Sequence, residues 1–331
     1  MPELPEVETI RRDLDSLLRG KVFRGLDVVD SRVLDGFMPS GAPRRSVDAG
    51  ALRKRLVGRS VTGVLRRGKY LIFTLSSGNA LLCHLRMTGQ LIWAAPLSRA
   101  RARLTFAGSA EVLNFCDARR FGEIWFAEAW EQDASIRSLG PEPFHAALDA
   151  AAWGKELCAS RAKVQAALLD QKRMAGLGNI YVTEALFLSG IRPTRRCHTL
   201  RGAQIPGLLE NIRKVLEKGL RHRGVSFYSY RDASGNKGDA LRHLFVYGLS
   251  GKPRPRTEQA VHLAPGPRDG AAVVDHLVGL PPLSRERPLR GGTAAEVGGR
   301  HGPCAQAQAP HVRGRGHDDH PVEILVHARF K

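Results

Sequence analysis

The chain begins MPELPEVETIRRDL, which places a proline at position 2 and carboxylates at Glu3 and Glu6 where an apolar helical repeat starts. Once Met1 is removed, Pro2 is a free secondary amine. An α-amino group has a reference pKa of about 7.7 to 8.0, so near neutral pH a useful fraction is uncharged and can attack a carbon electrophile. With a sugar C1′ the product is a cationic iminium, which acidifies the C2′ proton and allows a 3′ phosphate to leave without a metal. Glu3 is then the candidate general acid or base on the ring oxygen, and Glu6 the candidate for orienting the amine. Proline and glutamate are also ordinary choices at a helix start, so these residues alone do not decide the matter.

Further along, Lys69 follows Arg66 and Arg67 at the head of an apolar run. That cluster suits a phosphate contact and a proton shuttle, or equally a solvated run of charge. GLGNIY at 176–181 reads as a glycine turn delivering Asn179 to a helix start. Freed N–H groups and the helix dipole there favour an anion, although an asparagine N-cap fits the same letters. On their own, Met87 and Phe121 read as core residues.

The elements that must position these residues are legible from periodicity. Val7, Ile10, Leu14, Leu17 and Leu18 recur at helical spacing between Glu6 and the stop signal Gly20. From about Lys21 to Glu128 short β-rich runs follow, near 61–65, 70–75, 80–85, 90–93, 103–106, 112–115 and 123–126. Their close spacing predicts an antiparallel sandwich. After Pro141 and Pro143 helical segments are expected near 150–158, 164–171, 180–188 and 203–220, the last carrying a stripe of Leu208, Leu209, Ile212, Val215, Leu216 and Leu220. The expected class is α+β multidomain: an N-terminal helix with an antiparallel β-sandwich at 1–130, a helical domain at 131–250 and an irregular tail at 251–331.

With 331 residues the chain can hold two separate cores. Its net charge of +19 calls for a polyanionic partner, nucleic acid first. A membrane is not expected, since no apolar run approaches the ~18 residues of a span and no secretory signal layout opens the chain; the expected location is the cytoplasm. Five cysteines at 83, 116, 158, 197 and 304 form no CxxC pair, which excludes an ordinary cysteine zinc site and reads as reduced thiols. Between Tyr247 and Phe330 there is no Phe, Tyr or Trp, and seven of the twelve histidines fall after Gly251, so no packed core is expected there.

MPELPEVET closely resembles the start of the formamidopyrimidine-DNA glycosylases, which excise oxidised purines. The resemblance recurs in order through RRGKYLIFTL (66–75), HLRMTGQL (84–91), DARRFGEIW (117–125), LGPEP (139–143) and LLDQKRMAGLGNIYVTEALF (168–187), and more loosely through GVSFYSYRDASGNKGDALRHLFVYG (224–248). It implies Pro2 as nucleophile, with Glu3 and Lys69 as catalytic partners and Glu6 in support. It also implies DNA contacts at Met87, Arg119, Arg120, Phe121, Arg161 and Asn179. Met87, Arg119 and Phe121 resemble the trio that fills the gap left by a flipped nucleotide, Asn179 sits in the turn of a helix–two-turn–helix module, and 224–248 resembles the flexible stretch closing over the extruded base. The implied partner is double-stranded DNA with oxidised bases or abasic sites, bound by a nucleoid-associated bacterial monomer.

The resemblance breaks after VYG. The family continues into a zinc finger with two CxxC pairs, but here Arg254 and Thr257 stand where the first pair belongs, so zinc is expected of the family and has no cysteine ligands in this chain. The finger's arginine, credited with helping the second elimination, has no assignable counterpart. A shifted reading frame near codon 253 and a natural zincless variant both account for the change. His301, Cys304, His311, His317 and His320 fit no standard finger spacing, so no metal residue is assigned. Arginines at 99–103 replace a histidine that the family tends to carry near DNA. Within the enzymes the rival is the endonuclease VIII-like branch acting on oxidised pyrimidines. That branch begins PEGPE and lacks the trio, whereas this chain begins PELPE and has all three residues. Outside them the rival is a catalytically impaired protein that binds damaged DNA.

Overall fold

The computed structural model describes residues 1–35, 48–227 and 229–249, with the backbone of 253–254 and 257–260. The first helix, α1 (Leu4–Leu18), starts two residues earlier than periodicity suggests, with Pro5 in its first turn. Val7, Ile10, Leu14 and Leu18 are at most 0% exposed along its inner stripe, and Gly20 turns the chain with φ +82°.

Two four-stranded antiparallel sheets follow. One has the order β1 (Phe23–Val28), β6 (Ala100–Phe106), β7 (Val112–Asp117), β5 (Gly89–Ala94); the other runs β2 (Val61–Arg67), β3 (Tyr70–Leu75), β4 (Ala80–His84), β8 (Glu123–Ala127). A single apolar cluster fills the space between them, including Phe23, Phe106 and Phe115 from the first sheet and Val64, Phe73 and Leu81 from the second. This is the expected sandwich. Alternation along β6 is clean, with Ala100, Ala102, Leu104 and Phe106 inward. By contrast β4 is buried at every position, because Ile72, Leu82 and Trp125 on the outer face of its sheet pack with Ile136 of a short helix, α3 (Ala134–Arg137).

Among the elements that escaped the periodicity are β1, α2 (Ala49–Leu56) and the four-residue α3. Strand β1 pairs with β6 through a register shift between Phe23 and Gly25, and such a bulge destroys alternation. Helix α2 buries only Leu52 and Leu56, one turn apart, after an Asp48 cap that accepts from Ala51 N–H at 3.0 Å.

The second core is helical: α4 (Ala150–Ala159), α5 (Val164–Leu169), α6 (Asn179–Leu188) and α7 (Ile205–Arg221). Ile180 to Leu186 are buried without a break, so α6 is the central helix; Leu208, Leu209, Ile212, Val215 and Leu216 of the expected α7 stripe join it in the core, while Leu220 is only partly buried. Leu4 belongs to this core while Val7 and Ile10 belong to the sandwich core, so α1 is shared between the two. Pro253–Arg254 pairs antiparallel with Thr257–Ala260, where the resemblance would begin a finger. Residues 261–331, with His301, Cys304, His311, His317 and His320, lie outside the described residues, as does 36–47.

Candidate active site

The shared helix explains why the chain begins as it does. Leu4 donates its N–H to the Gly176 carbonyl at 3.0 Å, tying the N-terminus to the turn between α5 and α6. That turn needs its glycines: Gly176 sits at φ +95° with Leu4 against it, and a Cβ on Gly178 would collide with the Glu3 carboxyl group. Gly178, not Asn179, is the N-cap of α6. The anion at this helix start is the chain's own Glu3. Its Oε2 accepts the Gly178 N–H at 2.8 Å and its Oε1 the Ile180 N–H at 2.9 Å, with Tyr181 N–H at 3.4 Å. The expectation that these N–H groups face a DNA phosphate is therefore corrected: a long-range carboxylate satisfies them, as capping chemistry requires.

Glu6 is the hub one turn on. Its Oε2 accepts Glu3 N–H at 2.8 Å; its Oε1 accepts the Tyr181 hydroxyl at 2.8 Å and Val225 N–H at 2.7 Å. Pro2, Glu3, Glu6 and Lys69 are all buried, Glu3 being 2% exposed. Burial pushes Glu3 up to about 7 against the opposing pull of Lys69, and pushes Glu6 up as well. Burial also lowers the Lys69 ammonium and the amine of Met1, both opposed by Glu3 and Glu6. Lys69 and Arg119 each depress the amine further. A buried carboxyl that exchanges its proton near neutrality, next to the chain's N-terminus and a lysine, can serve as an acid–base group.

Lys69 owes its place to residues that sequence reasoning left without a role. Glu142, of the LGPEP block, accepts Gly68 N–H at 2.6 Å, Arg66 at 2.7 Å and Arg67 at 3.2 Å. Arg66 also reaches Glu8 at 3.0 Å, and both arginine and carboxylates are buried. The charge run before Lys69 is thus ion-paired, with Arg66 buried and Arg67 about 24% exposed. It fixes the β2–β3 turn to the segment after the sandwich. Tyr181, likewise unassigned from sequence, reaches Glu6 because Gly219 of α7 presents no side chain in its path.

The sandwich presents two further turns. Met87, half-buried, lies between β4 and β5; Arg119, Arg120 and Phe121 follow β7, all exposed, Phe121 by 53%. The core reading of Phe121 fails, and the Arg119 guanidinium lies 5.0 Å from its ring centroid. Arg120 has φ +61° and an ion pair with Asp30 at 3.3 Å. Arg101 and Arg103 turn to Asp117 O and to Asp27, at 3.1 and 2.6 Å. The side-chain Oδ1 of Asn179 accepts from Gln165 at 2.9 Å, which leaves its NH₂ as a donor. Arg161 is exposed between α4 and α5, its carbonyl accepting from Arg196 at 2.8 Å, with no contact to the Pro2 cluster among those described. The 224–248 stretch has anchors: Tyr230 and Ala233 join the sandwich core, Trp93 N–H donates to Ala233 O at 2.8 Å, and Glu184 accepts Phe245, Val246 and Tyr247 N–H at 2.6 to 2.8 Å. Tyr228 lies outside the described residues.

Comparison with known proteins places this geometry. The model of the formamidopyrimidine-DNA glycosylase N-terminal domain matches residues 1–124, and that of the family's H2TH domain residues 139–229. The formamidopyrimidine-DNA glycosylase of Moorella thermoacetica is 41% identical over 265 residues, covering 78% of this chain and 93% of the relative. The chain belongs to the formamidopyrimidine-DNA glycosylase family. A family member from Cereibacter sphaeroides is 39% identical over 268 residues, covering 76% and 90%. Among solved structures, MutM (Fpg) from Thermus thermophilus superposes with a TM-score of 0.71 at 32% identity, covering 82% of this chain and 96% of that one. A Lactococcus lactis Fpg mutant in complex with Fapy-dG-containing DNA gives 0.71 at 30%, covering 80% and 94%.

The formamidopyrimidine-DNA glycosylase resemblance brings with it an expected zinc, which the described residues do not fit. Cys83, Cys116 and Cys197 are free and buried, Cys83 in the sandwich core and Cys197 in the helical core, with Cys158 half-buried. Among the described residues, His222, Asp239 and His243 bring metal-type donors within 4.8 Å of one another. The two imidazoles stack at 3.6 Å and 19°, so their in-plane lone pairs run side by side instead of converging, and Arg242 shares Asp239. No helix among the described residues is long and apolar enough to cross a membrane.

Proposed function

We propose that this chain is a bifunctional glycosylase and abasic-site lyase of base excision repair, acting on oxidised purines such as 8-oxoguanine and formamidopyrimidines in double-stranded DNA. The observation that carries the reading is the buried Glu3 carboxyl, pushed up to about 7 and sharing its buried surroundings with Pro2 and Lys69. The Pro2 nitrogen attacks C1′ as the glycosidic bond breaks and the base leaves with a proton. The Glu3 carboxyl protonates the ring oxygen, the C1′–O bond opens and the nitrogen–carbon double bond forms. Loss of the C2′ proton expels the 3′ phosphate, a second elimination removes the 5′ phosphate, and water releases the sugar remnant from Pro2. Glu6 holds the Glu3 backbone, and Lys69 supplies positive charge to a phosphate or to the proton relay.

Extruding the damaged nucleotide costs a few kcal/mol, part of which Met87, Arg119 and Phe121 offset by filling the vacated stack. Arg120, Arg161 and the Asn179 amide contact phosphates. The division 1–130, 131–250 and 251–331 gives a catalytic layer, a DNA-binding layer and a tail without the family's finger. The protein works as a monomer on the bacterial nucleoid in the cytoplasm.

The absent cysteine pairs favour one other reading, a damaged-DNA binder that does not turn over. Incubation with an 8-oxoguanine duplex separates them. Base release with strand cleavage supports the enzyme, whereas binding without release at any enzyme concentration refutes it.

A further inference from the structure

The two exposed turns that carry Met87 and Phe121 meet at a single carboxylate. We infer that Asp117 is a positioning residue that staples these turns together, so that Met87, Arg119 and Phe121 enter the duplex as one rigid piece; this rests on reading the trio as the filler of the vacated stack. Asp117 is the last residue of β7, pairs with Gly89 at the start of β5, and is 3% exposed. Its Oδ1 accepts the hydroxyl of Thr88, the neighbour of Met87, and the Arg119 N–H at 3.2 Å. Its Oδ2 accepts the Gly122 N–H at 2.7 Å, just beyond Phe121. The Arg119 N–H also reaches the Thr88 hydroxyl oxygen at 3.1 Å, closing the link directly between the turns.

A second tie runs alongside. Arg86, at φ +51° in the Met87 turn, donates to the buried Glu123 through Nε at 3.1 Å and Nη2 at 2.5 Å. Five backbone or side-chain donors thus converge on two carboxylates beneath a ring that has little apolar packing of its own. The physical consequence is preorganisation. A loose turn would lose conformational freedom on entering the base stack, and that loss would subtract from whatever the wedge contributes to extrusion. A turn ordered by Asp117 in the free protein loses nothing more.

The test compares Asp117→Asn, Thr88→Val and Thr88→Ser on an 8-oxoguanine duplex and on a preformed abasic-site duplex at one salt concentration, with melting temperatures. An abasic site presents no base to extrude, so it depends less on the wedge. Asp117→Asn and Thr88→Val are expected to lower kcat/KM on the intact lesion on the order of ten-fold more than on the abasic site, as small misplacements of a positioning group do. Thr88→Ser, which keeps the hydroxyl, restores the wild-type ratio. Equal losses on both substrates, or a Thr88→Val protein with the wild-type ratio, overturn the proposal, and the Thr88 pair decides even if Asp117→Asn fails to fold. Phe121→Ala in the same assay guards the premise: unchanged excision would remove the trio from extrusion, while a loss there without one in Thr88→Val would retire only the staple.

Discussion

Glu3 accepts the backbone N–H of Ile180 at 2.9 Å across 177 residues of sequence, so the start of the chain caps the helix that leads out of the α5–α6 turn. One carboxyl group thereby joins the two cores and stands beside the amine. Replacing it with Gln keeps its size and an acceptor oxygen but removes the proton exchange. Glu3→Gln is expected to lose base excision by about 10² to 10⁴-fold while duplex affinity stays within a few-fold. Single-turnover excision and equilibrium binding on the same lesion duplex check this.

The acid role of Glu3 has a sign in pH. With its pKa raised to about 7, the protonated form needed for ring opening is lost as pH rises through that value. The Pro2 amine, free once Met1 is removed, must shed its proton to attack and sets the rising limb. The two titrate as a coupled pair, so the limbs are properties of the pair. Lys69 pulls Glu3 down, hence Lys69→Met is expected to move the falling limb to higher pH, besides slowing the reaction. The kcat/KM profile of each protein, measured between pH 5 and pH 9 or about that range, reads the shift directly.

Glu142 is expected to matter for stability more than its place outside the amine cluster suggests. Glu142→Gln leaves the buried Arg66 with Glu8 alone and frees the turn before Lys69. Breaking one partner of a buried ion pair costs about 3 kcal/mol. Chemical denaturation measures the loss, and excision is expected to fall with it because Gly68 no longer holds Lys69 in register.

Phe121, more than half exposed, contributes little to the fold. Phe121→Ala is expected to change stability by no more than about 0.5 kcal/mol. Excision of 8-oxoguanine falls by contrast, which a melting curve and a glycosylase assay on one preparation will show.

The elements that sequence reading located carry a helical apolar stripe, as α1 and α7 do, or a compact apolar run, as β3 and β4 do. A bulge hid β1, and two leucines gave too short a stripe to announce α2. Of the proposed site, Pro2, Glu3 and Lys69 could be named from the sequence because reactive residue types stand in family blocks. Glu142, Tyr181 and Asp117 were not, because their roles come from contacts between segments tens of residues apart, which leave no local pattern. The same distance hid the partner of the N–H groups around Asn179: the turn does offer an anion site, and the anion that fills it arrives from residue 3.

Two amines compete for the role of nucleophile: the nitrogen of Pro2 once Met1 is removed, and Lys69, whose ammonium burial lowers against the pull of Glu3. Borohydride reduction during turnover of an 8-oxoguanine duplex by protein freed of Met1, followed by peptide mass mapping of the cross-link, tells them apart. The DNA remnant is predicted on the nitrogen of Pro2, with no cross-link in protein that retains Met1. A remnant on Lys69, or equal trapping with Met1 in place, would contradict the account.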